Sequence, residues 1–169
     1  MNIILKLFPV YIFMILGLSA CNSSPDELSQ QQKRSIENFE FSDWNGNSIT
    51  VTDFRGKVVI LDFWETWCGP CLSAFTVFNR VQNEFPDEII FIAATAGFQD
   101  TADDVRRFIE ETDYPFLFVD GSGLSDDLNI SGIPYKVIIN RDGEVEHAQV
   151  GFRGHEGEYE TLVGYIENM

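Results

Sequence analysis

Hydrophobic positions change their spacing along the chain, and each change predicts a different element of structure. Residues 57–64 and 88–94 are apolar almost throughout, which is typical of strands buried on both faces of a sheet. Between them, apolar residues recur at helical spacing, at Leu72, Phe75, Phe78, Val81 and Phe85. This order predicts a β-α-β unit with two parallel strands in the middle of the chain.

The segments on either side of this unit predict two hairpins and further helices. Alternating apolar and polar residues flank the turns Asn45-Gly46-Asn47 and Arg141-Asp142-Gly143, as in β-hairpins. Helical or strand-like patterns also occur at 101–112, 116–120, 124–128 and 156–167. We therefore predict an α/β protein with a mixed central β-sheet flanked by helices and an N-terminal β-hairpin extension.

The first twenty residues predict an export signal. Lys6 precedes a short apolar stretch, which ends in Leu18-Ser19-Ala20-Cys21. This ending resembles the lipobox of bacterial lipoproteins, in which the cysteine is lipidated and becomes the first residue of the mature protein. An uncleaved anchor is the alternative, although a membrane-spanning helix needs about 20 apolar residues. We predict a lipoprotein signal peptide at 1–20, a flexible linker at 21–35 and one domain at 36–169.

Charge and cysteine content narrow the possible functions. The chain has 169 residues, with 27 Asp and Glu against 11 Lys and Arg, a net charge of −16 that repels nucleic acid. If Cys21 carries lipid, Cys68 and Cys71 remain as thiols, too few for a disulfide scaffold. The remaining pair is therefore predicted to react.

Cys68-Gly69-Pro70-Cys71 stands where the first buried strand passes into the predicted helix. Unpaired N–H groups and the helix dipole favour a thiolate at that point, and two nearby thiols can close or reopen a small disulfide ring. The motif therefore indicates thiol–disulfide exchange. An inert disulfide or half of a zinc site is the alternative. Zinc needs about four ligands, and besides carboxylates the mature chain adds only His147 and His155.

Two motifs resemble landmarks of the thioredoxin family. The segment 62–71 resembles its active-site segment, and Gly132-Ile133-Pro134 with the strand after it resembles its second landmark. The segment 56–61 and the N-terminal hairpin are similar to the membrane-anchored TlpA/ResA-type branch. The resemblance runs from about Phe39 to the C-terminus. It implies the thioredoxin fold, thiol–disulfide oxidoreductase activity, and no need for a cofactor or metal.

The resemblance also implies roles for individual residues around the cysteines. Cys68, at an exposed helix start, is the nucleophile, and Cys71 resolves the mixed disulfide that forms. Gly69 and Pro70 match the pair in thioredoxin, whose reduction potential is about −270 mV, and this favours a reductase. Asp62 occupies the position of thioredoxin's buried carboxylate, where apolar surroundings raise the pKa and allow proton exchange with Cys71. A surface acid at a strand kink is the alternative.

Further residues of the two motifs have expected positions. Pro134 should follow a cis peptide bond, and the backbone of Ile133 should pair with an extended substrate segment. Trp67 should shield the disulfide and contribute to docking. Several residues depart from the family pattern. Among them are Glu65, which we expect on the solvated surface, and Tyr135, which either alters the groove or covers the core.

The resulting hypothesis is a monomeric lipoprotein of the bacterial cell envelope, facing the periplasm or the exterior. It reduces protein disulfides and receives electrons from a transmembrane thiol reductant, because its compartment supplies none. Nucleic acid is excluded as a partner. The alternatives are an oxidase that donates its disulfide, and a copper-binding module that uses the same cysteines.

Overall fold

The computed structural model describes residues 28–169, and its elements follow the predicted order. The helices are α1 (Gln30–Asn38), α2 (Gly69–Glu84), α3 (Ala102–Glu111), α4 (Ser122–Leu128) and α5 (His155–Asn168). The strands are β1 (Phe41–Asp43), β2 (Ser48–Ile49), β3 (Val58–Trp64), β4 (Ile89–Thr95), β5 (Leu117–Asp120), β6 (Tyr135–Ile139) and β7 (Val145–Val150). From β3 onward, each element lies within two residues of its predicted bounds.

All seven strands form one mixed sheet in the order β2-β1-β5-β4-β3-β6-β7. Strands β3, β4 and β5 are parallel, whereas β6 is antiparallel to β3 and β7 is antiparallel to β6. The predicted α/β fold with a mixed sheet is confirmed. The N-terminal hairpin is also present as β1 and β2, which pair antiparallel, but a 3₁₀ turn at Val51–Phe54 replaces the end of its second predicted strand.

Strand β3 is buried along its whole length and contributes alternately to two apolar clusters. Val58, Ile60 and Trp64 pack with α2 and α5 on one face of the sheet. Val59, Leu61 and Phe63 pack with α1 and α4 on the other. Since side chains alternate along a strand, Asp62 faces the α2 and α5 layer. That layer also contains Cys68 and Cys71.

Helix α1 corrects the predicted linker. We expected a flexible segment through residue 35, but α1 begins at Gln30 and buries Ile36 completely. Ser29 and Gln32 form a reciprocal capping box, which satisfies two backbone N–H groups at the helix start. The predicted signal peptide, Cys21 and the first part of the linker lie outside the described residues. From residue 28 onward, no helix has the length and apolar character to cross a membrane.

Candidate active site

Cys68 and Cys71 form a disulfide at the N-terminus of α2, with their Cα atoms 5.2 Å apart. Cys68 is the N-cap of this helix, and its Sγ accepts the Cys71 backbone N–H at 3.2 Å. Pro70 fits the first turn, where its missing N–H has no intrahelical partner to lose. Trp67, Gly69 and Pro70 surround the pair with exposed surface. The predicted strand-to-helix placement of the motif is confirmed.

Cys68 was expected at an exposed position, and this is wrong for the oxidised state, in which Cys68 and Cys71 form a disulfide. Cys68 is 4% exposed and Cys71 is 0% exposed, because both join the apolar cluster between the sheet and α2. The small accessible area that remains belongs to Cys68. A substrate that reaches this disulfide therefore meets the first cysteine of the motif.

The loop before β6 reaches the same end of β3. The peptide bond between Ile133 and Pro134 is cis, as the resemblance implied. Tyr135 pairs with Phe63 at the start of β6, so the loop lies beside the end of β3 that leads to Cys68. Ile133 packs against the cluster that contains both cysteines. The two predicted motifs are thus brought together by the β3–β6 pairing.

Asp62 is buried, which excludes a surface acid at a strand kink. The residue is 1% exposed, and both carboxyl oxygens are buried without a hydrogen-bond partner among the described residues. Burial raises the pKa of the Asp62 carboxyl well above its usual range. The Lys136 charge partly opposes this rise in pKa, and the Glu158 charge adds to it. Asp62 is therefore suited to hold a proton at a pH where exposed carboxyl groups have lost theirs.

A buried ion pair lies next to Asp62, and the sequence analysis missed it. Lys136 is the direct cross-strand neighbour of Asp62 on β6, and its Nζ donates to Glu158 at 2.7 Å. The two side chains are 2% and 1% exposed. A lysine inside an otherwise apolar strand was the available signal. The sequence did not reveal its partner, because Glu158 comes from α5, 22 residues away.

Glu65 is also buried, so the prediction of a solvated surface acid is wrong. The residue is 0% exposed, and its carboxylate accepts the backbone N–H groups of Phe98 at 3.1 Å, Gln99 at 3.2 Å and Asp100 at 2.7 Å. Asp100 in turn accepts the Thr66 hydroxyl at 2.8 Å and the Thr66 N–H at 2.5 Å. These bonds join the loop after β3 to the loop after β4.

The remaining singled-out residues have ordinary surroundings. Trp64 is 0% exposed and packs against Phe75 and Phe108, which confirms a core position. Tyr135 is half-buried beside Phe63, so it partly covers the core. His147 lies 2.8 Å from the Tyr165 hydroxyl. No group of three or more His, Cys, Asp or Glu in the described part of the chain could hold a metal ion.

Residues 31–163 match the sequence profile of the Redoxin family. The chain belongs to this family. This redoxin is 30% identical over 147 residues to the thiol-disulfide oxidoreductase ResA of Bacillus cereus strain ATCC 10987, with 82% of the chain and 84% of the relative covered. The redoxin is itself a thiol–disulfide oxidoreductase.

Solved structures of thiol–disulfide exchange proteins also resemble this chain in sequence and in fold. A protein assigned as the thiol:disulfide interchange protein DsbE of Chlorobium tepidum is 26% identical to this redoxin, with a TM-score of 0.65 over 76% of this chain and 90% of that one. The exposed lipoprotein thioredoxin Etrx1 of Streptococcus pneumoniae is 25% identical, with a TM-score of 0.61 over 75% of this chain and 98% of that one. The redoxin therefore has the thioredoxin-like fold, as the sequence predicted.

Proposed function

We propose that this redoxin reduces protein disulfides through Cys68 and Cys71. The Cys68 thiolate attacks one sulfur of a substrate disulfide, and the other substrate sulfur leaves as a thiolate. Cys71 then attacks Cys68, which breaks the mixed disulfide and releases the second substrate thiolate. Two electrons pass to the substrate, and the redoxin ends with the Cys68–Cys71 disulfide. The observation that supports this most is a cysteine pair at a helix N-terminus in the same layer as the buried Asp62 carboxyl group, which has no hydrogen-bond partner among residues 28–169.

In this proposal, Asp62 takes the proton from Cys71 when that thiol attacks. Asp62 faces the same layer as Cys71, and no described donor bonds to its oxygens and stabilises the ionised form. A base whose pKa is raised toward that of the thiol accepts its proton more readily than an ordinary exposed carboxylate does. The lack of a donor to Asp62 in the described part of the chain supports proton transfer rather than a structural role.

The substrate segment docks beside Cys68 in our proposal. Trp67 is 50% exposed and offers an apolar surface next to Cys68, and Gly69 and Pro70 on the other side of Cys68 in the sequence are also exposed. An extended segment pairs with the backbone at Ile133 and Pro134, as a strand adds to a sheet. The position of this loop beside the end of β3 supports the assignment.

We further propose that the redoxin is lipid-anchored through Cys21 on the outer side of a bacterial membrane. The Leu18-Ser19-Ala20-Cys21 pattern supports this, and Etrx1 is described as an exposed lipoprotein. Outside the cytoplasm the disulfide needs an external source of electrons, so a transmembrane thiol reductant completes the cycle. Mass spectrometry should find that the membrane-bound protein begins at Cys21 and carries a lipid on that residue, and Cys21→Ala should lose the lipid. An unlipidated Cys21 in the wild-type protein would contradict the lipid anchor.

Trapping tests the proposed chemistry. A Cys71→Ser variant cannot resolve the mixed disulfide, so substrates should remain covalently bound to Cys68 until a reductant is added. The matched control, Cys68→Ser, should capture none. Capture by the Cys68→Ser variant alone would exchange the two roles, and no capture by either variant would contradict the mechanism.

The redox midpoint of the pair tests the proposed direction. A reductase should have a midpoint near that of thioredoxin, about −270 mV. A midpoint close to about −120 mV, as in the strong oxidant DsbA, would instead make the protein an oxidase that donates its disulfide.

A further inference from the structure

Asp62 belongs to a group of three buried ionisable side chains on the α2 and α5 side of the sheet, and the other two members have no part in the proposed chemistry. Asp62, Lys136 and Glu158 are each 1–2% exposed. A buried charge without a partner is costly, so a core keeps such groups only in matched arrangements. Lys136 and Glu158 match each other, and Asp62 is left over. The Lys136–Glu158 ion pair can therefore influence the protonation of Asp62.

Lys136 is placed to be a partner of Asp62 but is bonded elsewhere. The two residues are directly opposite on antiparallel β3 and β6, so their side chains share one face and their Cβ atoms lie about 5 Å apart. The Lys136 Nζ nevertheless donates to Glu158 Oε1 and to the Gly151 carbonyl oxygen, each at 2.7 Å. The ammonium group is thus drawn toward α5 and away from the Asp62 oxygens, which accept no hydrogen bond from any described residue.

Glu158 is held in place by contacts besides the one to Lys136. Its second oxygen, Oε2, accepts the Arg153 N–H at 3.3 Å. It stands in the first turns of α5, where the helix dipole favours a negative charge. Both features favour a Glu158 side chain that stays in place and retains Lys136.

We propose that Glu158 is a positioning residue that holds the Lys136 ammonium group, prevents it from pairing with Asp62, and so keeps Asp62 able to accept the Cys71 proton. This inference rests on the proposed function, in which Asp62 takes that proton. A carboxylate paired with a buried ammonium is a weak base, because protonation would break the pair. Without Glu158, the charge of Lys136 has its cross-strand neighbour Asp62 as the next available partner.

The other groups that face Asp62 do not offer this control. Cys68 and Cys71 come from α2, and in the disulfide state neither titrates. On β4 the residue paired with Asp62 is Ala93, which carries no charge. The charged neighbours are therefore Lys136 from β6 and Glu158 from α5, whose effects on the pKa of Asp62 are opposite in sign.

Direct titration of Asp62 tests the inference. The full chain is labelled with ¹³C-aspartate and oxidised, so that no active-site thiol titrates, and the Asp62 carboxyl signal is identified by its loss in Asp62→Asn. We expect Glu158→Gln to lower the titration midpoint of Asp62 by about one to two pH units. Lys136→Met should raise the midpoint. Opposite shifts distinguish this electrostatic role from a general loss of packing.

Two further variants serve as controls. Glu156→Gln removes the same charge from the same helix turn at an exposed position, and should shift the midpoint by less than about 0.3 pH units. The double variant Lys136→Met/Glu158→Gln removes both charges and should return the midpoint toward the wild-type value. If Glu158→Gln alone does not fold, the double variant is compared with Lys136→Met, since replacing a whole buried pair is tolerated better than breaking it. A midpoint in the double variant no lower than that in Lys136→Met would overturn the inference.

The reaction provides the second measurement. A reduced redoxin treated with dithiobis-nitrobenzoate releases one chromophore when Cys68 attacks and a second when Cys71 resolves. The pH midpoint of the second release should move in the same direction as the Asp62 titration in each variant. An unchanged Asp62 midpoint in Glu158→Gln, or equal shifts in Glu156→Gln, would overturn the inference and leave the proposed function standing. Failure of the trapping experiment would overturn the proposed function whatever Asp62 does.

Discussion

Asp62 and Glu65 are buried carboxyl groups three residues apart, and they differ in the hydrogen-bond donors that surround them. The oxygens of Asp62 meet no described donor, whereas Glu65 accepts three backbone N–H groups from residues 98–100. Burial without donors disfavours the charged form and leaves a carboxyl group ready to hold a proton. Burial with donors fixes the group as an anchor for a loop. Burial by itself therefore does not make a carboxyl group a proton acceptor, and its hydrogen-bond donors decide the outcome.

The sharpest test of this contrast is Asp62→Asn, which keeps the shape of the side chain and removes its proton chemistry. We expect the step in which Cys71 attacks the mixed disulfide to slow by about 10²-fold or more at neutral pH. The attack by Cys68 should change little. Two-stage chromophore release separates these steps, and an equal loss in both would contradict a role specific to Cys71.

Glu65→Ala tests the anchor. The change leaves three backbone N–H groups without their acceptor, so we expect the free energy of unfolding to fall by about 3 kcal/mol. Amide exchange at Phe98, Gln99 and Asp100 should accelerate. Chemical denaturation measures the first effect, with Glu110→Ala as an exposed control that should change stability by less than about 0.5 kcal/mol. Equal losses in the two variants would show that Glu65 is not an anchor.

The pH dependence of stability tests the raised pKa of the Asp62 carboxyl group. The pKa of Asp62 is raised in the folded state above its ordinary value of 3.8, so the unfolded chain loses this proton first. The Asp62 contribution to stability should therefore decline as pH rises from about 4 through the folded-state pKa, by at most about 1.4 kcal/mol per pH unit. In Asp62→Asn this decline should disappear. Denaturation of the oxidised proteins across this range measures it, and parallel curves for wild type and variant would contradict the prediction.

The smallest expected effect on stability concerns the hydrogen bond that the Thr66 hydroxyl donates to Asp100. Thr66→Val removes the hydroxyl donor but keeps the backbone N–H bond, so stability should fall by about 1 kcal/mol. Thr66→Ser retains a hydroxyl and should stay close to wild type. Thermal unfolding of Thr66→Val and Thr66→Ser measures the difference in stability between the two variants. Equal losses would mean that the methyl group, rather than the hydroxyl, stabilises the loop.

The elements and the redox pair could be predicted because their signals are local. Strand β3 and helix α2 are each predicted by the spacing of their own apolar residues, and Cys68 and Cys71 lie within a single helical turn. Helix α1 was not predicted, because its polar residues have the composition of a linker. The capping box of Ser29 and Gln32 is the local signal for this helix, and the burial of Ile36 depends on tertiary packing.

The sequence by itself determined the order of elements, the thioredoxin-like family and the position of the reactive cysteines. The tertiary structure alone decided the surroundings of the two carboxyl groups. Glu65 finds its donors 33 to 35 residues further along the chain, and Asp62 meets Lys136 and Glu158 only because β6 and α5 pack against β3 and its helix layer. Desolvation and hydrogen bonding depend on such distant partners, whereas periodicity depends on near neighbours.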